Sequence, residues 1–239
     1  MPLFYPVSAR RLSEGMMTPM GKSVYSVMLT DDVVAAVDAL AYQTGISRSR
    51  MIDRILAQHV CCETPAQQMA DIFRRIEEMA NFHSRMQLLF PPSQELLQLK
   101  SAVPYKYNPT VKYAVYLTPE DPLSLGQLRV SLRSQSAALR AAMNEFYRFW
   151  AGLEEKNFQE GRFLSYRIDE DRYERSLRRP EGLAPAEQGD AIAAYLTLFD
   201  ATLKAYFDGL PSGQNAARNA YGVFGSEVSN KKKAHILFL

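Results

Sequence analysis

The chain has 239 residues, 47% of them hydrophobic and 23% charged, so it can bury one large core or two small ones. A formal net charge of only +2 excludes nucleic-acid binding through a bulk excess of positive charge, so any basic surface must be local. The two cysteines, Cys61 and Cys62, are adjacent and close no useful loop, which indicates a reducing compartment. Neither a membrane span nor a secretion signal is recognisable, so we expect a cytoplasmic protein.

The first ordered segment that the sequence predicts covers residues 22–60, after an irregular arm at residues 1–21 that is rich in Pro and Gly. Residues 24–30 alternate as a strand, with Tyr25, Val27 and Leu29 on the inner face. Thr30 is placed to cap a helix whose first turn holds two acids. Gly45 ends this helix, and Ser47 or Ser49 begins a second one. The outward face of the strand carries Lys22, Val24, Ser26 and Met28.

This order of strand, helix, glycine turn and serine-opened helix resembles the ribbon-helix-helix DNA-binding module of the MetJ, Arc and CopG families. The resemblance rests on Leu29 and Thr30 at the end of the strand and on Gly-Ile-Ser-Arg-Ser at residues 45–49, at a CopG-like separation. It implies that two ribbons pair antiparallel and that the resulting two-stranded sheet enters the major groove.

The resemblance also implies two kinds of DNA contact. The outward ribbon face would meet base edges. Val24 and Met28 make this face unusually apolar, which weakens the expectation of base-specific recognition more than that of DNA binding itself. The free N–H groups at the start of the second helix would bind a backbone phosphate. The residues implied for this phosphate contact are Ser47, Arg48, Ser49 and Arg50.

The second half of the chain begins with a similar pattern, which we interpret as a diverged second copy at residues 111–150, inside a unit that extends to residue 157. Residues 112–118 again alternate and end in Leu-Thr, with Lys112, Ala114 and Tyr116 facing outward as base contacts. Ser134 and Ser136 then stand at a helix start, as phosphate contacts. Chance similarity is the alternative, because short strand–helix units are common. The second copy also departs from the pattern where Pro119, Pro122 and Gly126 interrupt its first helix.

The other regions carry less information about function. Residues 61–110 are predicted as a helical connector with a helix at 65–90 and a short helix at 93–99. Residues 158–211 are predicted as a C-terminal helical region, with a solvated charged helix face at 169–179 and an amphipathic helix at 190–207. Residues 212–239 are predicted as a largely flexible tail. His59 beside the cysteines lacks further ligands, so we expect no metal and no cofactor.

The sequence therefore predicts a mainly α protein with a short two-stranded antiparallel ribbon, a ribbon-helix-helix core and additional helices. The ribbon would pair in a homodimer or with residues 112–118 in an intrachain pseudo-dimer. The expected partner is double-stranded DNA, with a non-enzymatic role in transcriptional repression or in DNA organisation for plasmid partition or conjugation. The alternative is a protein-interaction module such as an antitoxin or adaptor, in which the C-terminal helices bind a protein partner.

Overall fold

The computed structural model describes residues 26–60, 64–83, 86–93, 95–118, 121, 123–157, 165–212 and 215–231. In chain order its elements are α1 (Asp31–Thr44), α2 (Arg48–His59), α3 (Pro65–His83), β1 (Gln87–Leu88), β2 (Leu96–Ala102), β3 (Thr110–Leu117), β4 (Ser124–Ser131), α4 (Ala137–Asn157), β5 (Tyr166–Asp169), β6 (Arg172–Arg178), α5 (Pro185–Gly209) and α6 (Ala216–Lys231). A 3-10 turn, Leu210–Ser212, directly follows α5.

The strands form one antiparallel sheet in the order β1-β2-β3-β4-β6-β5. Burial alternates along β3, where Val111, Tyr113, Val115 and Leu117 are buried and the residues between them are not. The same alternation in β2, β4 and β6 gives the sheet one face covered by helices and one open face.

Helix α5 is the centre of the helical layer, because it packs on α3 and on α6 and is buried along most of its length. Aromatic rings fill the space between α4, α5 and the sheet. The Trp150 ring lies 4.7 Å from Phe199 and 5.7 Å from Phe224, measured between ring centroids. Such rings bury large areas and account for much of the stabilisation of a core of this kind.

Gly126 and Gly189 are among the glycines that allow close approaches between neighbouring elements of the fold. Gly126 in β4 has φ +149°, and a Cβ there would lie 1.8 Å from the carbonyl oxygen of Tyr116 on the neighbouring strand. Gly189 lies where α5 crosses α3, and a Cβ there would lie 2.7 Å from the carbonyl oxygen of Ile72. Neither position accepts a side chain without movement of the backbone next to it.

A buried polar network joins α4, α5 and the sheet around the carboxylate of Glu154, which is fully buried. Arg175 of β6 places its Nε 2.8 Å from Glu154 Oε1, and Tyr195 of α5 donates to the same oxygen at 2.9 Å. Tyr173 donates to Oε2, while Trp150 Nε1 donates to the Tyr195 hydroxyl at 2.9 Å. Because buried charges are costly unless paired and hydrogen-bonded, this network fixes how the helices dock on the sheet.

A second buried contact ties α5 to β3. The Tyr113 hydroxyl donates to Asp200 Oδ1 at 2.9 Å, and Lys204 Nζ lies 2.7 Å from Asp200 Oδ2. Burial, and then the nearby Asp200 carboxylate, raise the pKa of Tyr113 well above its usual value. Burial likewise raises the pKa of the other core tyrosines, Tyr147, Tyr173 and Tyr195.

The prediction of a mainly α protein with a two-stranded ribbon is wrong, because the chain forms a six-stranded antiparallel sheet. The predicted second copy at 111–150 is also wrong, since β3 is followed by strand β4 and not by a first helix. Along β3, Lys112 pairs with Lys100 on one side and with Ser131 on the other. Both edges of β3 are therefore occupied, and the intrachain pseudo-dimer of residues 112–118 with residues 24–30 is excluded.

Four local predictions also fail. Residues 96–102 form β2 where the sequence predicted a short helix at 93–99. The charged run at 169–179 forms β6 and the end of β5 and not a helix. The strand was not recognised because the buried side of β6 includes Arg175, whose charge hides the alternation of buried and exposed residues. The tail predicted as flexible contains α6, whose Ala216, Ala220 and Phe224 are buried. The helix predicted at 65–90 ends at His83.

Candidate functional site

The α1–α2 hairpin is the part of the chain that carries the family resemblance, and the structure forms it with the predicted turn. Gly45 has φ +67°, the left-handed conformation that a glycine adopts without strain. Its N–H donates to the carbonyl oxygen of Tyr42 at 3.3 Å, and the N–H of Ile46 donates to that of Ala41 at 3.1 Å. These bonds satisfy the last carbonyl groups of α1 and turn the chain into α2. At the other end of α1, Thr30 is the N-cap residue but its side chain makes no capping hydrogen bond.

The start of α2 is capped by Ser47, which decides between the two serines that the sequence offered. Ser47 Oγ accepts a hydrogen bond from the backbone N–H of Arg50 at 3.4 Å. Ser49 lies in the first turn of α2 and is exposed, as is Arg50. Three of the four residues predicted to contact phosphate therefore surround an exposed helix N-terminus, where backbone N–H groups and the helix dipole attract anions.

Arg48, the fourth predicted phosphate contact, is engaged within the hairpin. Its Nε and its terminal nitrogen each lie 2.5 Å from a carboxylate oxygen of Asp38 on α1. The hydrogen bond from Arg48 lowers the pKa of the Asp38 carboxyl below its usual value. A planar guanidinium that already binds one carboxylate at both oxygens has less capacity left for a phosphate.

The hairpin has a very small core of its own, made of Val37, Ala41 and Met51 with Ile46 and Ile52 beside them. Its two helices make their main contacts with each other. Of the thirteen large hydrophobic residues that are exposed in the described chain, nine lie in residues 26–60: Val27, Met28, Leu29, Val33, Leu40, Tyr42, Ile55, Leu56 and Val60. This concentration of exposed apolar surface is typical of a unit that packs against a partner.

The predicted ribbon lies only partly within the described residues. Lys22 and Val24 lie outside them, while Ser26 and Met28 are exposed, Met28 by 98%. Residues 26–30 form no strand with any other described segment. Val27 and Leu29, predicted to face a core, are 68% and 41% exposed in the single chain. Residues 26–30, which alternation predicted as part of the ribbon, thus have no strand partner within the described part of this chain.

The predicted contacts of the second half lie elsewhere in the molecule. Lys112, Ala114 and Tyr116 do share one side of β3, and this side belongs to the open face of the sheet. Ser136 caps α4, since its Oγ accepts from the N–H of Leu139 at 3.3 Å, and Ser134 Oγ accepts from the N–H of Ser136 at 3.1 Å. Among the described residues, no second hairpin brings these two groups together, so the structure does not assemble them into one site.

Sequence reasoning missed the other basic residues of the open sheet face. Lys100 lies directly opposite Lys112, and Arg172 lies two strands beyond Lys112 in the same row. The alternation of Leu97 and Leu99 with polar residues would have identified β2, but it was assigned to a helix. The pairing of distant strands has no signal in the local sequence.

The described residues contain no group of three His, Cys, Asp or Glu side chains arranged to hold a metal ion; Cys61 and Cys62 lie outside them. Within the described ranges, no helix has the length and apolar character needed to cross a membrane. No family model matches the chain, and no curated protein or solved structure matches it with significance.

Proposed function

We propose that this protein is a non-enzymatic, cytoplasmic DNA-binding protein in which residues 22–60 of two chains form a ribbon-helix-helix homodimer. Its role would be transcriptional repression or the organisation of DNA for plasmid partition or conjugation. The observation that carries the proposal is the α1–α2 hairpin, in which the Gly45 turn and the Ser47 cap join two helices whose apolar residues remain exposed.

A second chain would cover this apolar surface. Residues 26–30 have no strand partner in the described chain, and an unpaired strand leaves its backbone donors and acceptors to solvent. Because both edges of β3 are occupied, the predicted internal partner, residues 112–118, is not accessible. Pairing with the same segment of another chain would cover the apolar surface and provide partners for the backbone groups of the strand. It would also favour a palindromic DNA site.

The proposed DNA contacts are the ribbon in the major groove and the start of α2 on a phosphate. Arg50 and Ser49 are exposed beside the N–H groups of the first turn. The ion pair of Arg48 with Asp38 reduces what Arg48 can add to this contact.

The oligomer is tested by mass in solution. The wild-type protein is expected at twice the 27.1 kDa of one chain. Leu56→Asp puts a charge on a 56% exposed residue of the hairpin and should yield a monomer. The matched control is Tyr221→Asp on α6, where the side chain is 60% exposed, and it should leave the dimer intact. A wild-type monomer that still binds DNA would refute the homodimer.

DNA binding is tested with a labelled random duplex over a series of salt concentrations. Arg50→Ala should weaken binding and reduce the salt slope by about 0.9, the value for one phosphate contact. Arg74→Ala, on α3, removes an exposed arginine outside the hairpin and is the control. Asp38→Asn should strengthen binding, because it releases Arg48 from its ion pair. Absence of wild-type binding even at low salt would refute the proposed function.

The second candidate is a protein-interaction module, such as an antitoxin or adaptor. The observation that favours it is the same exposed apolar surface, which extends to Tyr42 and Val60 at 91% and 61% exposure. A dimer that fails to bind DNA at any salt concentration would support this alternative.

A further inference from the structure

We propose that the open face of the six-stranded sheet is a second DNA-binding surface, which holds the phosphate backbone of duplex DNA without reading its bases. This inference rests on the proposed function, since it assigns a further contact to the same DNA. It concerns a different part of the chain from the hairpin, so the two can be tested separately.

The open face is strongly biased toward positive charge. Strand pairing places six cationic side chains and two carboxylates on this face. The cations are Lys100, Lys112, Arg129, Arg167, Arg172 and Arg178, and the carboxylates are Asp169 and Glu174. The net charge of the whole chain is only +2, so this face concentrates charge that the rest of the surface lacks. A local basic face of this kind attracts a polyanion.

The carboxylates of this face are already paired with its arginines. Glu174 lies 2.7 Å from Arg129 and 3.2 Å from Arg172, and Asp169 lies 3.1 Å from Arg167. Among the described residues, no carboxylate pairs with Lys100 or Lys112. These two lysines therefore present their charges to solvent.

Repulsion between the two lysine ammonium groups destabilises the sheet unless an anion lies between them. Lys100 of β2 is directly opposite Lys112 of β3, and directly opposed like charges destabilise a sheet. The same row continues through Ser131 of β4 to Arg172 of β6. With strands about 4.8 Å apart, these cations and the hydroxyl extend over about 14 Å, which suits several phosphates in succession.

The shape and chemistry of the face favour the DNA backbone over the bases. Six strands make a sheet about 24 Å wide, twice the width of a major groove at about 12 Å, so the sheet cannot enter the groove as a ribbon does. Its central aromatic ring, Tyr116, is covered by the guanidinium of Arg129, 5.1 Å from the ring centroid. A ring covered in this way is not available for stacking on an unpaired base, which single-stranded binding would use.

The test measures affinity for a labelled 30-bp random duplex between about 50 and 200 mM salt. In Lys100→Ser/Lys112→Ser, we expect about tenfold weaker binding at the low-salt end and a slope of log K against log salt that is shallower by up to about 1.8. Lys100→Arg/Lys112→Arg should restore both values. Because the double serine variant removes a repulsion, its melting temperature should not fall, which excludes unfolding as the cause.

The matched control is Lys156→Ser/Arg218→Ser, which removes the same charge from exposed positions on α4 and α6. Its slope should equal that of the wild type. If the wild type binds DNA but the Lys100/Lys112 variant matches this control, the second surface is refuted and the hairpin proposal stands. If only the sheet variant weakens binding and Arg50→Ala does not, the sheet surface stands and the hairpin contact falls. Absence of wild-type binding refutes both.

An acidic protein partner would use the same charges, so poly-glutamate is included as a competitor. We expect it to displace the duplex less effectively, per unit charge, than unlabelled duplex does. More effective displacement by poly-glutamate, lost in the double serine variant, would refute the DNA assignment in favour of an acidic polypeptide.

Discussion

The ion pair between Glu154 and Arg175 gives the most stringent test of the fold. Glu154→Gln preserves the volume of the side chain but removes its charge, so the fully buried guanidinium loses the anion that compensates it. The new amide nitrogen must also face one of the former donors, Arg175, Tyr173 or Tyr195. Breaking a buried pair by removing one partner costs about 3–5 kcal/mol.

The magnitude follows from burial, because the side chains of Arg175 and Glu154 are 1% and 0% exposed and little solvent screening is available. A cost of about 3–5 kcal/mol lowers the melting temperature by about 6–20 °C in a protein of this size. Arg175→Met should cost a similar amount, because it leaves a buried carboxylate. The double variant Glu154→Gln/Arg175→Met removes both charges, so its loss should be about 2 kcal/mol smaller than the sum of the single losses.

The assay is urea unfolding followed by circular dichroism for the wild type, both single variants and the double variant. The control is Arg74→Met on α3, where the side chain is 57% exposed and pairs with Asp71 and Glu78. Because solvent screens this exposed pair, Arg74→Met should leave the urea midpoint nearly unchanged. Additive losses, or single losses as small as that of the control, would refute the conclusion that the network holds the helices on the sheet.

Three further outcomes follow from the packing and the buried tyrosines. Gly126→Ala should prevent folding or cost several kcal/mol in urea unfolding, because the new Cβ collides with the backbone of Tyr116; a stable variant would contradict this. Gly189→Ala should cost about 1–3 kcal/mol, because it forces α5 away from Ile72 on α3; an unchanged urea midpoint would contradict this. Burial raises the pKa of Tyr113 and of the other core tyrosines, so the unfolded chain releases its phenolic protons first. The free energy of unfolding should therefore be constant below about pH 10 and fall above it by about 1.4 kcal/mol per pH unit for each tyrosine. Tyr113→Phe should make this fall with pH less steep. Equal free energies of unfolding at pH 8 and pH 11 would exclude a contribution of the buried tyrosines.

The parts of the fold that the sequence predicted correctly are those fixed by local chemistry. Gly45 ends α1 because its left-handed conformation closes the helix, and Ser47 begins α2 because its side chain satisfies a free N–H group. Helix α4 begins directly after Ser136, as predicted, and α5 contains the amphipathic segment 190–207. Each of these signals lies within a few residues of the structure that it determines.

The sheet escaped prediction because its determinants are distant in sequence. Glu154 has the appearance of a solvated helix residue. Its burial is favourable because partners on other elements, among them Arg175 twenty-one positions later, pair with its carboxylate. Strand β4 pairs with β6 across the whole of α4 and β5. A pattern that counts charged residues as exposed cannot find a strand whose buried side contains an ion pair.

The candidate site was predicted in part, for the same physical reasons. The Gly45 turn and the Ser47 cap are local, so the hairpin was found, but the capture of Arg48 by Asp38 depends on the tertiary packing of α1 against α2. The outward direction of Lys112 and Tyr116 was predicted by alternation along one strand. The register that places Lys100 opposite Lys112, and thereby concentrates charge, required knowledge of strand pairing.

The two proposed DNA contacts have a common character that bears on specificity. Arg50 at the helix start and Lys100 and Lys112 on the sheet are all suited to phosphates, and phosphate contacts position a protein without reading sequence. The only proposed base contacts are the outward ribbon residues, of which Val24 and Met28 can contribute only apolar contact, such as with a thymine methyl group. Affinity should therefore depend steeply on salt and weakly on sequence, which suits a factor that organises DNA better than a repressor of one operator.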